Sequence, residues 1–195
     1  MREDGRCLVE TREVAPPPVP VLGAPWSLRT VRDTAEDIGL VHQWMNRPHL
    51  AAGWGQDWPL GRWTDEIRTQ LAGLRSRPCL VSHEGRLFAY VEIYRPALDP
   101  LAGYYPAAGT DLGMHTAIAA VEDTGRGFGS RLLSAVPDAL LAADPDCARV
   151  VAEPRSSNLA AIGAKQRAGW VKGEQIELPH KVATLMFRYR GAGQR

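Results

Sequence analysis

Thr124-Gly125-Arg126-Gly127-Phe128-Gly129-Ser130 stands between a run of alternating apolar residues at 110–119 and a segment with Leu132, Leu133, Val136 and Leu140 at helical spacing. Three alternate glycines let the backbone turn tightly and bring its N–H groups close to an anion. The start of the following helix adds partial positive charge there, and Arg126 adds a full one. The stretch therefore predicts a strand, a phosphate-cradling loop and a helix, with Pro137 kinking that helix or delaying its regular part. Context separates this loop from two look-alikes. A dinucleotide fingerprint follows the first strand of a parallel βαβ unit, with an acidic residue about 20 positions on, whereas this loop lies past mid-chain behind a hairpin. A P-loop requires Gly-Lys-Ser/Thr, which is absent.

Upstream, 87–94 alternates: Leu87, Ala89, Val91 and Ile93 share one predicted face, and Phe88, Tyr90, Glu92 and Tyr94 the other. With 79–83 and the turn Glu84-Gly85-Arg86, this forms a hairpin. Before it, Trp63, Ile67, Leu71 and Leu74 mark one helix, and Ile38, Val41 and Met45 mark an earlier one, opened by Thr34 and Asp37 in capping-box fashion and ended by Pro48. The segment to Pro59 reads as a loop, and 26–31 as a first strand. Downstream, 149–153 is a short strand, Ser157 caps a helix over 158–168 that Gly169 ends, and 170–178 and 182–189 are the last strands. This order predicts an α/β domain with a mixed, mostly antiparallel central sheet flanked by helices, over 26–190. Residues 1–25, with Pro16, Pro17, Pro18, Pro20 and Pro25, read as a flexible arm, and 191–195 as a tail.

The bulk properties suit small-molecule chemistry. A chain of 195 residues is one domain in size. With 23 Lys+Arg against 22 Asp+Glu, no large field recruits nucleic acid or an anionic membrane. Cys7, Cys79 and Cys147 form no CxxC spacing, and His42, His49, His83 and His180 no ligand spacing, so no metal is expected. No apolar run approaches the roughly 18 residues of a membrane span, and the N-terminus lacks a signal-peptide core. The expectation is a cytoplasmic protein.

The order of elements, the loop Gly125-Arg126-Gly127-Phe128-Gly129 and the stretch from Asn158 to Ala168-Gly169-Trp170 resemble the Gcn5-related N-acetyltransferase superfamily. The resemblance implies acyl-CoA as co-substrate. It places the pantetheine arm against Thr116, Ala117 and Ile118 on a splayed strand, and the pyrophosphate on Gly125, Arg126, Gly127, Phe128, Gly129 and Ser130. Asn158 then meets the later part of the cofactor or its thiol. Thr124 stands where the superfamily usually has Gln or Arg. A narrower set, Tyr90-Val91-Glu92-Ile93-Tyr94, Asp99, Tyr104-Tyr105, Asp111-Leu112-Gly113-Met114-His115 and Val151-Ala152-Glu153-Pro154 with Asn158, is similar to the siderophore branch and its mycobactin-type lysine N-acyltransferases. That similarity implies transfer from acyl-CoA, or from an acyl carrier protein, to the side-chain amine or hydroxylamine of a lysine-like substrate. It matches His115 and Glu153 to the family's catalytic pair, with Glu153 where the family has Asp. It assigns no oligomeric state.

Each candidate also has a plainer reading. His115 falls on the face opposite Leu112 and Met114, just before the phosphate loop, where a base or a structural histidine would both fit. A lysine ammonium, with a pKa of about 10.4, must lose a proton before it attacks, and a histidine titrating near neutrality suits that task. Glu153, at a strand end, orients His115, binds substrate or simply faces solvent. Glu92, among aromatic residues, needs a partner: a cationic substrate or an internal arginine. Asp99 and Tyr105 line the acceptor pocket or face solvent. Trp54, with Trp58, forms a wall for an acyl chain or belongs to the core. The rival functions are an aminoglycoside-type or other small-amine acetyltransferase, which would present several carboxylates to a polycation, and a non-catalytic CoA-binding module.

Overall fold

The structure, a computed structural model, describes residues 14–119 and 127–191. Seven strands form one sheet in the order β1-β2-β3-β4-β5-β7-β6. They are β1 (Trp26–Thr30), β2 (Ser76–His83), β3 (Arg86–Tyr94), β4 (Leu112–Ile118), β5 (Arg149–Ala152), β6 (Val171–Leu178) and β7 (Lys181–Tyr189). Every pairing is antiparallel except β4 with β5. That parallel pair is joined through α4 (Phe128–Ala143), as a parallel connection requires. The mixed sheet is the one expected from the sequence.

The sheet buries a core on each face. Val91, Ile93, Leu112 and Met114 pack against Leu132, Val136 and Leu140 of α4 and Ile162 of α5 (Leu159–Arg167). On the other face Leu80, Tyr90 and Ala117 meet Ile38, Val41 and Met45 of α1 (Ala35–Met45) and Trp63 and Ile67 of α3 (Leu60–Ala72). Each such aliphatic side chain, fully buried, contributes about 1.5–3 kcal/mol. Thr34 caps α1 by accepting from the Asp37 N–H. Asp37 itself turns away, to Arg29 and the Arg32 N–H.

Four local readings change. The segment read as a loop contains α2 (Pro48–Trp54): Pro48 both stops α1 and starts α2, since proline fits a first helical turn, and Gly55, at φ 66°, ends it. Phe88 does not share a face with Tyr90. A bulge opposite Val81 and Ser82 inserts Phe88, so it joins Val91 in the core under α4 while Leu87 moves to the other side. Leu74 lies beyond α3 and is exposed. Of the segment read as an arm, residues 14–25 run along the domain, with Pro17 and Pro20 buried and the Ala15 carbonyl accepting from Arg95. No helix among the described residues is long and apolar enough to cross a membrane.

Candidate active site

β4 and β5 pair only at Leu112 with Val150 and Gly113 with Val151, and then part. The Ala119 N–H donates to Phe88 O on the β3 side. By strand alternation, the amides and carbonyls of Thr116 and Ile118 therefore point to the opposite edge, into the gap that β5 has left. A cleft of about 1070 Å³ occupies this opening.

At the floor of the cleft three strands place three titratable groups in a row. Glu92 is the cross-strand partner of His115, and Glu153 follows β5 on the far side of the gap. His115 Nδ1 lies 3.3 Å from Glu92 Oε2, and Nε2 lies 2.6 Å from Glu153 Oε1. Tyr94 donates its hydroxyl to Glu153 Oε2 at 2.8 Å, and Lys181 Nζ reaches Oε1 at 3.2 Å. Gly113 makes this possible: a Cβ there would fall 2.1 Å from Tyr94 Cζ, so only glycine lets the ring cross the strand and aim at Glu153. Trp54 closes one side, edge-on to the imidazole at 5.6 Å between centroids.

The electrostatics follow from this packing. Burial disfavours a charged His115, but the charge of Glu153 and hydrogen bonds to both carboxylates outweigh it and raise its pKa well above the usual histidine value. Burial by itself would raise Glu153, but His115, Lys181 and the Tyr94 hydroxyl hold it well below the carboxylate range. The packing by itself thus favours the protonated imidazole between its two carboxylates, unlike the near-neutral imidazole that a lone histidine suggested.

The remaining candidates divide. Glu92, Asp99, Trp54, Thr116, Ile118, Gly127, Gly129, Ser130 and Asn158 all line the cleft. Gly125 and Arg126 lie outside the described residues. The Phe128 ring packs against His83 and Phe88, and the Ala117 side chain is buried under α1 and α3. Tyr105 is no pocket residue: it is buried, packs on Phe187 and gives its hydroxyl to Asp111 at 3.0 Å. Trp58 stacks on Trp63 at 5.1 Å instead of walling the cleft. Asn158, not Ser157, is the cap of α5: its side-chain oxygen accepts from the Ala161 N–H, and its amide nitrogen lies by Gly53. The Ile118 carbonyl is met by His49 at 3.1 Å. Among the described residues Thr116 Oγ1, buried, has no hydrogen-bond partner, and a donor amide would satisfy it.

Sequence reading missed four residues. Gln70, on the buried stripe of α3, donates to Glu66 Oε1 at 2.9 Å and to Glu92 Oε1 at 3.1 Å. Lys165 is 6 % exposed, lines the cleft and rests over the Trp170 ring at 4.4 Å. It has no hydrogen-bond or ion-pair partner among the described residues, and burial lowers its pKa to about 8. Both stand at inward helical positions where a polar residue is itself the signal. Arg75 and Lys181, at strand starts, carry no such signal.

Comparison with known proteins agrees with this architecture. Residues 33–178 match the family described as acetyltransferase (GNAT) domain. Lysine N-acyltransferase MbtK of Mycobacterium tuberculosis is 41% identical over 151 residues, 77% of this chain and 71% of that protein. N(5)-hydroxyornithine:cis-anhydromevalonyl coenzyme A-N(5)-transacylase SIDF of Beauveria bassiana is 30% identical over 86% of this chain and 37% of its own length. Among solved structures, a Bacillus halodurans protein superposes with a TM-score of 0.79 at 28% identity, over 90% of this chain and 91% of its own. AAC(6')-Ib in complex with ribostamycin and coenzyme A superposes at 0.76 and 22%, over 87% and 96%, which is a likeness of fold.

Proposed function

The chain belongs to the acetyltransferase (GNAT) family, and we propose that it is an N-acyltransferase of hydroxamate siderophore biosynthesis. It moves an acyl group from a pantetheine thioester, on coenzyme A or an acyl carrier protein, to the side-chain amine or hydroxylamine of a lysine-like substrate. The observation that carries this reading is the row Glu92–His115–Glu153 at the floor of the cleft. The relatives whose printed names join lysine or hydroxyornithine to acyl transfer support it.

In this reading the donor arm runs along the open edge of β4, where Thr116 and the Ile118 N–H offer backbone groups and the Thr116 hydroxyl has no partner among the described residues. Its phosphates meet the N-terminus of α4 at Gly127, Gly129 and Ser130. An acceptor ammonium entering beside Glu92 weakens that carboxylate's hold on His115 and adds a like charge next to the imidazolium. Both effects lower the pKa of His115 and drive its proton off. The ammonium gives up one proton to solvent before it attacks, and the neutral imidazole takes the second as the nitrogen adds to the carbonyl, with Glu153 orienting the ring. A hydroxylamine acceptor is less basic and depends less on this step. As the C–S bond breaks, its electron pair goes to sulfur, and Lys165, buried and lining the cleft, supplies the proton. Its lowered value of about 8 matches a thiol near 8.5.

The test is thiol release from acyl-CoA with lysine and N6-hydroxylysine as acceptors, with products identified by mass spectrometry. Acylated product that disappears in His115→Ala supports the reading. Coenzyme A binding without product from either acceptor makes the chain a non-catalytic binding module and overturns it.

A further inference from the structure

The acceptor half of the cleft has a second charged centre, away from the reacting row. Arg75, between α3 and β2, lines the cleft with Glu66, Gln70, Asp99, Leu101 and Tyr104. Its guanidinium is 3.7 Å from Glu66 and 3.9 Å from Asp99, contacts too long for hydrogen bonds. Among the described residues none of its donors makes a hydrogen bond. An arginine fork with unused donors fits a carboxylate edge-on. The contacts from Glu92 to Gln70 at 3.1 Å, Gln70 to Glu66 at 2.9 Å and Glu66 to Arg75 at 3.7 Å form a continuous polar track from the reacting row to this guanidinium. An amino acid with a long unbranched side chain spans such a track.

Resting on the function proposed above, we infer that Arg75 binds the α-carboxylate of the acceptor, so that the substrate is a free α-amino acid whose side-chain nitrogen lies at Glu92 and His115. The α-ammonium then lies by Asp99, whose Oδ1 caps the Leu101 N–H while Oδ2 faces Arg75. The buried Leu101 and the half-exposed Tyr104 wall the methylenes between the two ends. This arrangement also separates the function from its rival. Glu66, Glu92 and Asp99 are the several carboxylates that a polycation would want, but the arginine among them repels a polycation and attracts a zwitterion.

The experiment compares acceptors that differ only in the carboxylate: lysine against cadaverine, and N6-hydroxylysine against N-hydroxycadaverine, each with wild type, Arg75→Gln and Arg75→Lys. Arg75→Gln is expected to lower kcat/KM for the carboxylate-bearing acceptors about 10- to 100-fold, mainly through KM. Rates with the decarboxylated pair stay unchanged, and Arg75→Lys recovers part of the loss. Equal loss on both members of a pair, or none on the amino acids, overturns the inference and leaves Arg75 a structural ion pair of Glu66 and Asp99. Wild type that prefers cadaverine, and is improved on it by Arg75→Gln, overturns it in favour of a polycationic acceptor. Wild type that acylates no member of either pair overturns the acyltransfer reading itself, a failure distinct from the other two.

Discussion

Asp111 and Glu153 are both buried carboxylates, each held by a tyrosine hydroxyl and by cationic side chains: Asp111 by Tyr105 at 3.0 Å and Arg149 at 2.9 Å, Glu153 by Tyr94 at 2.8 Å, His115 at 2.6 Å and Lys181 at 3.2 Å. The cations differ in kind. Arg149 never gives up its proton in a protein, and Asp111 also accepts from the Ala108 N–H, so that network is closed and fixes the loop before β4 to the start of β5. His115 can give up its proton, is 31 % exposed in its side chain, and faces the cleft with a second carboxylate behind it. The same pattern of burial and pairing is structural where the cation is permanent and chemical where it titrates beside a cavity.

The sharpest way to break this comparison is to remove each cation's role in turn. His115→Ala is expected to reduce kcat/KM with lysine by about 100- to 10,000-fold, with a loss of stability softened because Lys181 and Tyr94 still hold Glu153. Asp111→Ala, which strands Arg149, should cost about 3–5 kcal/mol of stability in denaturant melts. It should leave turnover per folded molecule near wild type. A stable but inactive Asp111→Ala would merge the two networks into one. Next in size, Lys165→Met should slow turnover about 10- to 100-fold with ordinary acyl thioesters. A donor with a much more acidic thiol, which departs without a proton, should restore the rate; equal loss on both donors would remove Lys165 from the departure step.

The pH behaviour sharpens the contrast. His115, raised in the folded state, adds stability fully present below its ordinary 6.5 and lost as pH rises through its folded value. Glu153, depressed, adds stability present above its ordinary 4.5 and lost as pH falls through its folded value. In Glu153→Gln both contributions shrink, and the pH at which kcat/KM with a hydroxylamine acceptor levels off should move to lower pH, because His115 gives up its proton more readily. An unmoved profile would mean that Glu153 does not set the histidine's titration. The smallest expected effects belong to the tyrosines. Tyr94→Phe and Tyr105→Phe each lose one hydrogen bond, about 1 kcal/mol; the first should appear in turnover, the second in the melt alone.

Much of the site lies in short strings of sequence whose register the strands preserve. Met114 and His115 alternate faces in the chain and in the sheet, so the side of β4 that carries His115 was legible. Tyr105 and Phe88 were misplaced for different reasons. A polar aromatic residue in a loop looks the same whether it faces a pocket or, as here, ends on a buried aspartate. A bulge inverts a two-residue alternation without leaving a mark in composition. Gly113 was legible only as part of a motif, since its reason, the Tyr94 ring across it, comes from another strand.

By itself the sequence determined the mixed sheet and the strand–loop–helix unit, and it pointed to His115, Glu153 and Glu92 as candidates, because helical and strand periods and a glycine-rich turn are local properties of the chain. The tertiary structure decided how those groups are charged and what they face. Glu92, His115 and Glu153 are widely separated in sequence, and only the pairing of β3 with β4 and the parting of β4 from β5 bring two carboxylates onto one imidazole. Electrostatic coupling falls off within a few ångströms in space and takes no account of distance along the chain. That is why the histidine was readable from its motif, while its protonation, its cleft and the arginine at the far end of the track were not.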